Sequence, residues 1–91
     1  MKKDIEKISQ ILRQEFPLIQ IEQLKTVHPA DDDGLWFIKW PNKQGEVQIE
    51  SSTGNCPFLI ESTKFNKPLH GKTVEDVVTK IRSIHSEFFL D

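Results

Sequence analysis

Cys56 is the only cysteine of the 91 residues, and a thiol is the strongest nucleophile that this sequence contains. A catalytic cysteine needs a nearby histidine or a helix N-terminus that lowers its pKa. Neither is adjacent in sequence, although His70 or His85 could approach it in the fold. A small Cys/His-dependent enzyme is therefore an alternative hypothesis, and a small apolar residue packed under a turn is the expected role.

Glu50 and Glu61 are predicted on one face of neighbouring strands, and paired carboxylates can perform acid–base catalysis. That chemistry needs a pocket that desolvates one of them. The chain has no nucleophile elbow, phosphate-binding loop or HExxH spacing. We therefore predict no catalytic residue and no cofactor, and expect a polar sheet face on which Lys39 offsets the carboxylates.

Asp31, Asp32 and Asp33 precede Gly34 and suggest a calcium loop. Such a loop alternates its oxygen ligands and ends with a glutamate at its twelfth position. Counted from Asp31, that position is Asn42, and a predicted strand interrupts the loop. The cluster is therefore predicted to be a solvated turn without a metal.

The composition excludes several classes of partner. Fourteen acidic and twelve basic side chains give a net charge of −2, without the basic excess of nucleic-acid-binding proteins. Residues 63–72 contain three lysines around Phe65, which is ordinary for a surface loop. No apolar run reaches the roughly 20 residues of a membrane span. The charged N-terminus and single cysteine predict a cytoplasmic protein. The length of 91 residues predicts one domain, residues 1–91.

Two amphipathic helices are expected near the ends of the chain. Apolar residues recur at helical spacing over 4–16, where Asp4 is the predicted N-cap and Pro17 the terminator. Thr73 is the predicted N-cap of the last helix. His85 falls within the apolar stripe of that helix, which favours a structural role.

Residues 35–62 alternate as three short antiparallel strands, with the apolar side chains of one face directed to the core. We expect Trp40 to pair with Val47 and Ile38 with Ile49. Residues 18–27 fit a fourth strand with a bulge near residues 22–23, or a short helix. The prediction is an α+β fold: a helix, a β-meander of three to four strands and a closing helix, with both helices on one sheet face.

The other face of this sheet is the predicted binding surface. Apolar groups there are mixed with charges, which is typical of an interface with a polar rim. A protein partner, or a second copy of the chain, is the expected ligand. The loop 63–72, with Phe65 and Leu69, could cover the apolar groups instead. The predicted binding residues are Phe37, Lys39, Glu50, Leu59 and Glu61.

The segments GLWFIKWP and GEVQIESSTGNCPFLIE, within residues 34–61, resemble small single-domain bacterial proteins of uncharacterised function. The resemblance implies the β-meander but no activity and no site residues. Small acidic bacterial proteins of this kind include immunity and inhibitor proteins that bind a partner enzyme. A non-enzymatic interaction module is therefore the first functional hypothesis.

Overall fold

The computed structural model describes residues 3–23, 34–41, 44–63 and 66–89. The elements are α1 (Asp4–Glu15), β1 (Gln20–Gln23), β2 (Leu35–Lys39), β3 (Val47–Glu50), β4 (Phe58–Ser62), β5 (Leu69–Gly71) and α2 (Val74–Ile84). The two α-helices form where apolar positions recur every three or four residues, and β2, β3 and β4 form where they alternate. A π-helical segment, His85–Phe89, follows α2.

The five strands form one antiparallel sheet in the order β1-β2-β3-β4-β5, which confirms the α+β class. The predicted number of three to four strands is wrong, because β5 lies within the predicted loop 63–72. Leu69 pairs with Ile60 and packs against the core, so burial of its side chain accompanies strand formation. Leu69 therefore lies on the core side of the sheet, and Phe65 lies outside the described residues.

The pairing of β2 with β3 differs from the prediction by two residues. Ile38 pairs with Val47 and Trp36 with Ile49. The ladder ends at that pair, and beyond it Glu46 forms hydrogen bonds with Thr63, which follows β4. A shift of two residues preserves the side-chain alternation, so each residue stays on its predicted face.

Strand β1 confirms the strand hypothesis for residues 20–23. Its pairing with β2 is continuous from Gln20 opposite Lys39 to Gln23 opposite Trp36. The predicted bulge near residues 22–23 is therefore wrong. Residues 24–27 and the cluster Asp31, Asp32 and Asp33 lie outside the described residues.

One buried core joins the two helices to the sheet. Fourteen apolar side chains of the described residues are buried, and they form a single cluster. Those of α1 and α2 are Ile5, Ile8, Leu12, Val77, Val78, Ile81 and Ile84. Within the described parts of the chain, neither helix is long and apolar enough to cross a membrane.

The predicted N-cap is confirmed for α2 and wrong for α1. Thr73 is the N-cap of α2, because its Oγ1 accepts a hydrogen bond from the backbone N–H of Asp76 at 3.0 Å. Asp4 is not the N-cap of α1, a position that Lys3 occupies without a side-chain cap. The Asp4 carboxylate instead accepts a hydrogen bond from the backbone N–H of Cys56.

The ends of the helices meet in an aromatic cluster beyond the end of β2. Phe16 leaves the helical conformation before Pro17, as predicted, with φ −125° and ψ 85°. The His85 ring lies 4.6 Å from that of Phe16 and 4.7 Å from that of Trp40. His85 is half-buried there, and its two ring contacts hold the start of the π-helical segment against the core.

Candidate functional site

The sheet face opposite the helices, here called the outer face, is built by cross-strand rows of side chains. One row runs across β1 to β4 as Glu22, Phe37, Gln48 and Glu61. A second row runs across β2 to β5 as Leu35, Glu50, Leu59 and His70. Lys39 extends the face beside Gln20 on β1. The antiparallel register therefore brings the five predicted binding residues onto one surface.

The neighbours within this surface differ from those predicted. Phe37 lies opposite Gln48 and not opposite Glu50, because of the two-residue shift between β2 and β3. Glu50 lies between Leu35 and Leu59. Each predicted acidic residue thus borders an apolar or amide side chain, and none has a carboxylate directly opposite.

Apolar side chains on the outer face keep part of their surface exposed. Leu35, Phe37 and Leu59 are half-buried, whereas Ile38 and Ile60, which face the helices, are fully buried. The side chains of Lys39, Glu50 and Glu61 are exposed around them. The face therefore mixes half-buried apolar side chains with exposed charges, and Glu50 lies between two of the apolar ones. Apolar groups together with charges are typical of protein-binding surfaces.

The charges of the outer face are mainly acidic. Lys39 Nζ lies 3.5 Å from a carboxylate oxygen of Glu46, and Gln48 Nε2 donates a hydrogen bond to the same carboxylate at 3.2 Å. Glu22, Glu50 and Glu61 complete the set of carboxylates on this face. Four glutamates against one lysine leave a net charge of −3 on its described residues, so the face favours a basic counterpart.

A shallow pocket of about 310 Å³ lies at the β5 end of the outer face. Glu50, Leu59 and His70 line it together with residues of the β3–β4 turn. The position of His70 on this surface is not predictable from the sequence, because the three residues of β5 are too few for a recognisable alternation. The position of Glu22 on this face is predictable, because apolar and polar residues alternate over residues 19–22.

The outer face does not provide an acid–base pair. Glu50 lies opposite Leu59, and Glu61 is two residues further along β4. Such diagonal neighbours are roughly 7–8 Å apart at their backbones. Both side chains are exposed, so neither is desolvated as a general acid would have to be.

The environment of Cys56 opposes nucleophilic chemistry. Burial, followed by a hydrogen bond from the thiol to Asp4 and the charge of that carboxylate, raises the pKa of Cys56 from 9.0 to about 11. The charge of Asp76 contributes to the same increase, and a backbone hydrogen bond of Cys56 partly opposes it. At neutral pH the sulfur is a protonated hydrogen-bond donor, which is the opposite of an activated thiolate.

Metal binding has no support in the described parts of the chain, where no cluster of three or more His, Cys, Asp or Glu side chains could hold an ion. No protein family, curated protein or solved structure matched this sequence.

Proposed function

We propose that this chain is a cytoplasmic, non-enzymatic protein-binding module that binds a basic partner surface through its outer face. The observation that carries the proposal is the position of Phe37, half-buried between Glu22 and Gln48 on the sheet face opposite both helices. The helices and the core do not explain an aromatic ring at that position.

The apolar content of the face supports binding. The solvent side of an antiparallel sheet is ordinarily polar. Here Leu35 and Leu59 flank Glu50 in one row. Phe37 lies two residues after Leu35 on β2 and therefore on the same face. A partner that covers these three side chains would remove their remaining apolar surface from water, at roughly 25 cal/mol per Å².

The charge of the face favours a basic partner over a second copy of the chain. In a two-fold dimer through this face, the same acidic surface would meet itself. Two surfaces of net charge −3 repel each other, whereas lysine and arginine side chains of a partner would pair with Glu22, Glu50 and Glu61. Inhibitors that cover the basic substrate site of an enzyme are one case of this proposal.

Photo-crosslinking from single positions tests the proposal. Benzoylphenylalanine replaces Phe37 in one variant and Leu18 in the other, since Leu18 is 74 % exposed and lies outside the outer face. We expect an adduct in cells from position 37 and not from position 18. Mass spectrometry of the adduct should place lysine or arginine residues around the crosslinked site of the partner.

Charge reversal is the control for this experiment. Glu50→Lys combined with Glu61→Lys should lower the adduct yield several-fold, whereas Glu75→Lys on the exposed side of α2 should not. Raised salt should act in the same direction as the reversal on the outer face. Equal adducts from positions 37 and 18, or insensitivity to the charge reversal, would contradict the proposal.

Light scattering during size-exclusion chromatography distinguishes binding of another protein from self-association of this chain. We expect the wild type and Phe37→Asp to have the same monomeric mass and the same far-ultraviolet circular dichroism. A wild-type dimer that Phe37→Asp converts into a folded monomer would assign the outer face to self-association. Loss of folding in Phe37→Asp would show that Phe37 belongs to the core.

A further inference from the structure

The pocket of about 310 Å³ at the β5 end of the outer face has room for one side chain, because its volume lies at the lower limit of ligand sites. Glu50, Leu59 and His70 follow one another across β3, β4 and β5 in the cross-strand register. Adjacent strands lie about 4.8 Å apart, so the backbones of the outer two are separated by about 10 Å. Leu59 is half-buried between two exposed side chains. It therefore forms an apolar floor with a polar wall on either side.

Three polar side chains of this pocket are available to a ligand. The Glu50 carboxylate, the Ser52 hydroxyl and the His70 imidazole form no hydrogen bond and no ion pair within the described residues. All three side chains are exposed. Glu46 differs, because Lys39 and Gln48 already contact its carboxylate. The pocket thus holds an uncompensated carboxylate together with an aromatic ring.

An arginine side chain matches these groups. A guanidinium forms two parallel hydrogen bonds with a carboxylate and stacks on aromatic rings. Glu50 provides the carboxylate and His70 the ring, while the Ser52 hydroxyl can accept a hydrogen bond from one of the remaining N–H groups. The methylene groups of the same side chain would cover Leu59 and Pro57. One residue of the partner would thereby contact both walls and the floor.

Other occupants match the pocket less well. Lysine carries a compact, strongly hydrated charge that does not form the planar, bidentate contact. An aliphatic side chain would bury the Glu50 carboxylate without a partner, which costs free energy. An acidic ligand would be repelled by that carboxylate. Arginine is also one of the residues that most often dominate the binding energy of protein interfaces.

We propose that this pocket binds one arginine side chain of the basic partner and that this contact anchors the partner on the outer face. The inference rests on the proposed function, since it names the residue by which the same surface recognises its partner. It assigns the specificity for arginine to Glu50, Ser52 and His70, whereas Phe37 contributes apolar surface.

Titration with single amino acids tests the pocket without a partner. The probes are the N-acetyl methylamides of arginine, lysine and citrulline, the last of which has the shape of arginine but no charge. Each is added to isotopically labelled protein, and the amide signals are followed by NMR. With arginine we expect saturable shifts at residues 50–52, 58–59 and 70. Lysine should bind at least threefold more weakly, and citrulline should give no saturable shift.

Single variants identify the groups that bind the probe. Glu50→Gln removes the charge and keeps the size of the side chain, so it should weaken arginine binding at least threefold. Glu75→Gln removes an exposed carboxylate of α2 outside the pocket and, as the matched control, should leave binding unchanged. No saturable shift with arginine, equal binding of arginine and lysine, or unchanged arginine binding in Glu50→Gln would overturn the proposal.

Photo-crosslinking from position 37 distinguishes failure of the pocket from failure of the proposed function. His70→Ala removes no carboxylate, so the acidic charge of the outer face is unchanged. We expect this variant to lower the adduct yield from position 37 several-fold. An adduct that His70→Ala leaves unchanged, with no arginine binding, would overturn the role of the pocket and leave the proposed function in place. Absence of any adduct from position 37, with arginine binding intact, would contradict the proposed function while the pocket keeps its specificity.

Discussion

The Asp4 carboxylate accepts a hydrogen bond from the backbone N–H of Cys56 at 2.9 Å, across 52 residues of sequence. The β3–β4 turn, which contains Cys56, also supplies acceptors for the first backbone N–H groups of α1, which have no side-chain cap from Lys3. The side-chain oxygen of Asn55 accepts from the N–H of Asp4, and the carbonyl of Gly54 accepts from the N–H of Ile5, both at 2.9 Å. The start of α1 is thus satisfied by the β3–β4 turn, which joins the first helix to the sheet.

Gly54 makes this contact possible. Its φ of +77° lies in the left-handed region that side chains disfavour, and a Cβ there would lie 3.1 Å from Cδ of Lys3. The left-handed conformation favours glycine at this position, whereas the flexible Lys3 side chain could shift to relieve the second contact. Glycine therefore lets the turn present its carbonyl to α1 without backbone strain.

The first prediction concerns Asp4. Asp4→Ala should lower the free energy of unfolding by about 1.5–3 kcal/mol, because it removes a charged acceptor from the Cys56 amide. Asp4→Asn keeps an acceptor oxygen and should cost less. The measurement is urea denaturation. Glu6→Ala is the matched control, since Glu6 is also acidic and in the first turn; an equal loss in both variants would assign the effect to the helix dipole.

The second prediction concerns the reactivity of Cys56. With its pKa raised to about 11, the thiolate fraction at neutral pH is roughly a hundredfold lower than for a thiol at 9.0. The higher nucleophilicity of a more basic thiolate recovers roughly tenfold. Alkylation by iodoacetamide should therefore be about tenfold slower in the native protein than in urea. A thiol that reacts faster in the native protein than in urea would support the alternative hypothesis of a Cys/His-dependent enzyme.

The third prediction follows from the direction of the same pKa shift. The folded protein keeps the proton of Cys56 up to about pH 11, whereas the unfolded chain releases it near 9.0. The contribution of this thiol to stability is therefore complete below pH 9.0 and is lost as the pH rises to about 11. Between these values, wild-type stability should fall more steeply than that of Cys56→Ala; parallel curves would contradict the shift.

The fourth prediction concerns the start of α2. Thr73→Ala removes the oxygen that accepts the Asp76 amide and should lower the free energy of unfolding by about 1 kcal/mol. Thr73→Ser keeps that oxygen and should be nearly neutral. Thr79→Ala, at an exposed position within the same helix, controls for helix propensity. A Thr73→Ser variant as unstable as Thr73→Ala would exclude the hydroxyl as the cause.

The fifth prediction concerns the contact between β5 and α2. A Cβ on Gly71 would lie 2.3 Å from Cγ2 of Val77. Gly71→Ala should therefore cost about 1–3 kcal/mol through overpacking. The shortest contact is with Cγ2, whereas Cα and Cβ of Val77 would lie at 3.1 and 3.2 Å, so Val77→Ala should rescue Gly71→Ala only in part. A double-mutant cycle measures this coupling. Strictly additive losses would mean that the two residues do not clash.

The placement of residues on faces could be predicted from the sequence alone. Alternation assigns Phe37 and Glu50 to one face and Ile38 and Ile49 to the other. That assignment is correct although the predicted register between β2 and β3 is wrong, because a shift of two residues leaves every side chain on the same face. The five predicted binding residues share a surface for this reason, although their neighbours were predicted incorrectly.

The sequence by itself determined the two helices, the N-cap at Thr73, the end of α1 before Pro17 and the two faces of the meander, because these depend on local spacing and local hydrogen bonds. Only the tertiary structure decided the strand at Leu69, the caps that residues 54–56 provide to α1, and the pairing of Ile38 with Val47. Each of these depends on groups that are distant in the chain, such as Asp4 and Cys56 or Gly71 and Val77, and no local pattern records which distant groups will meet.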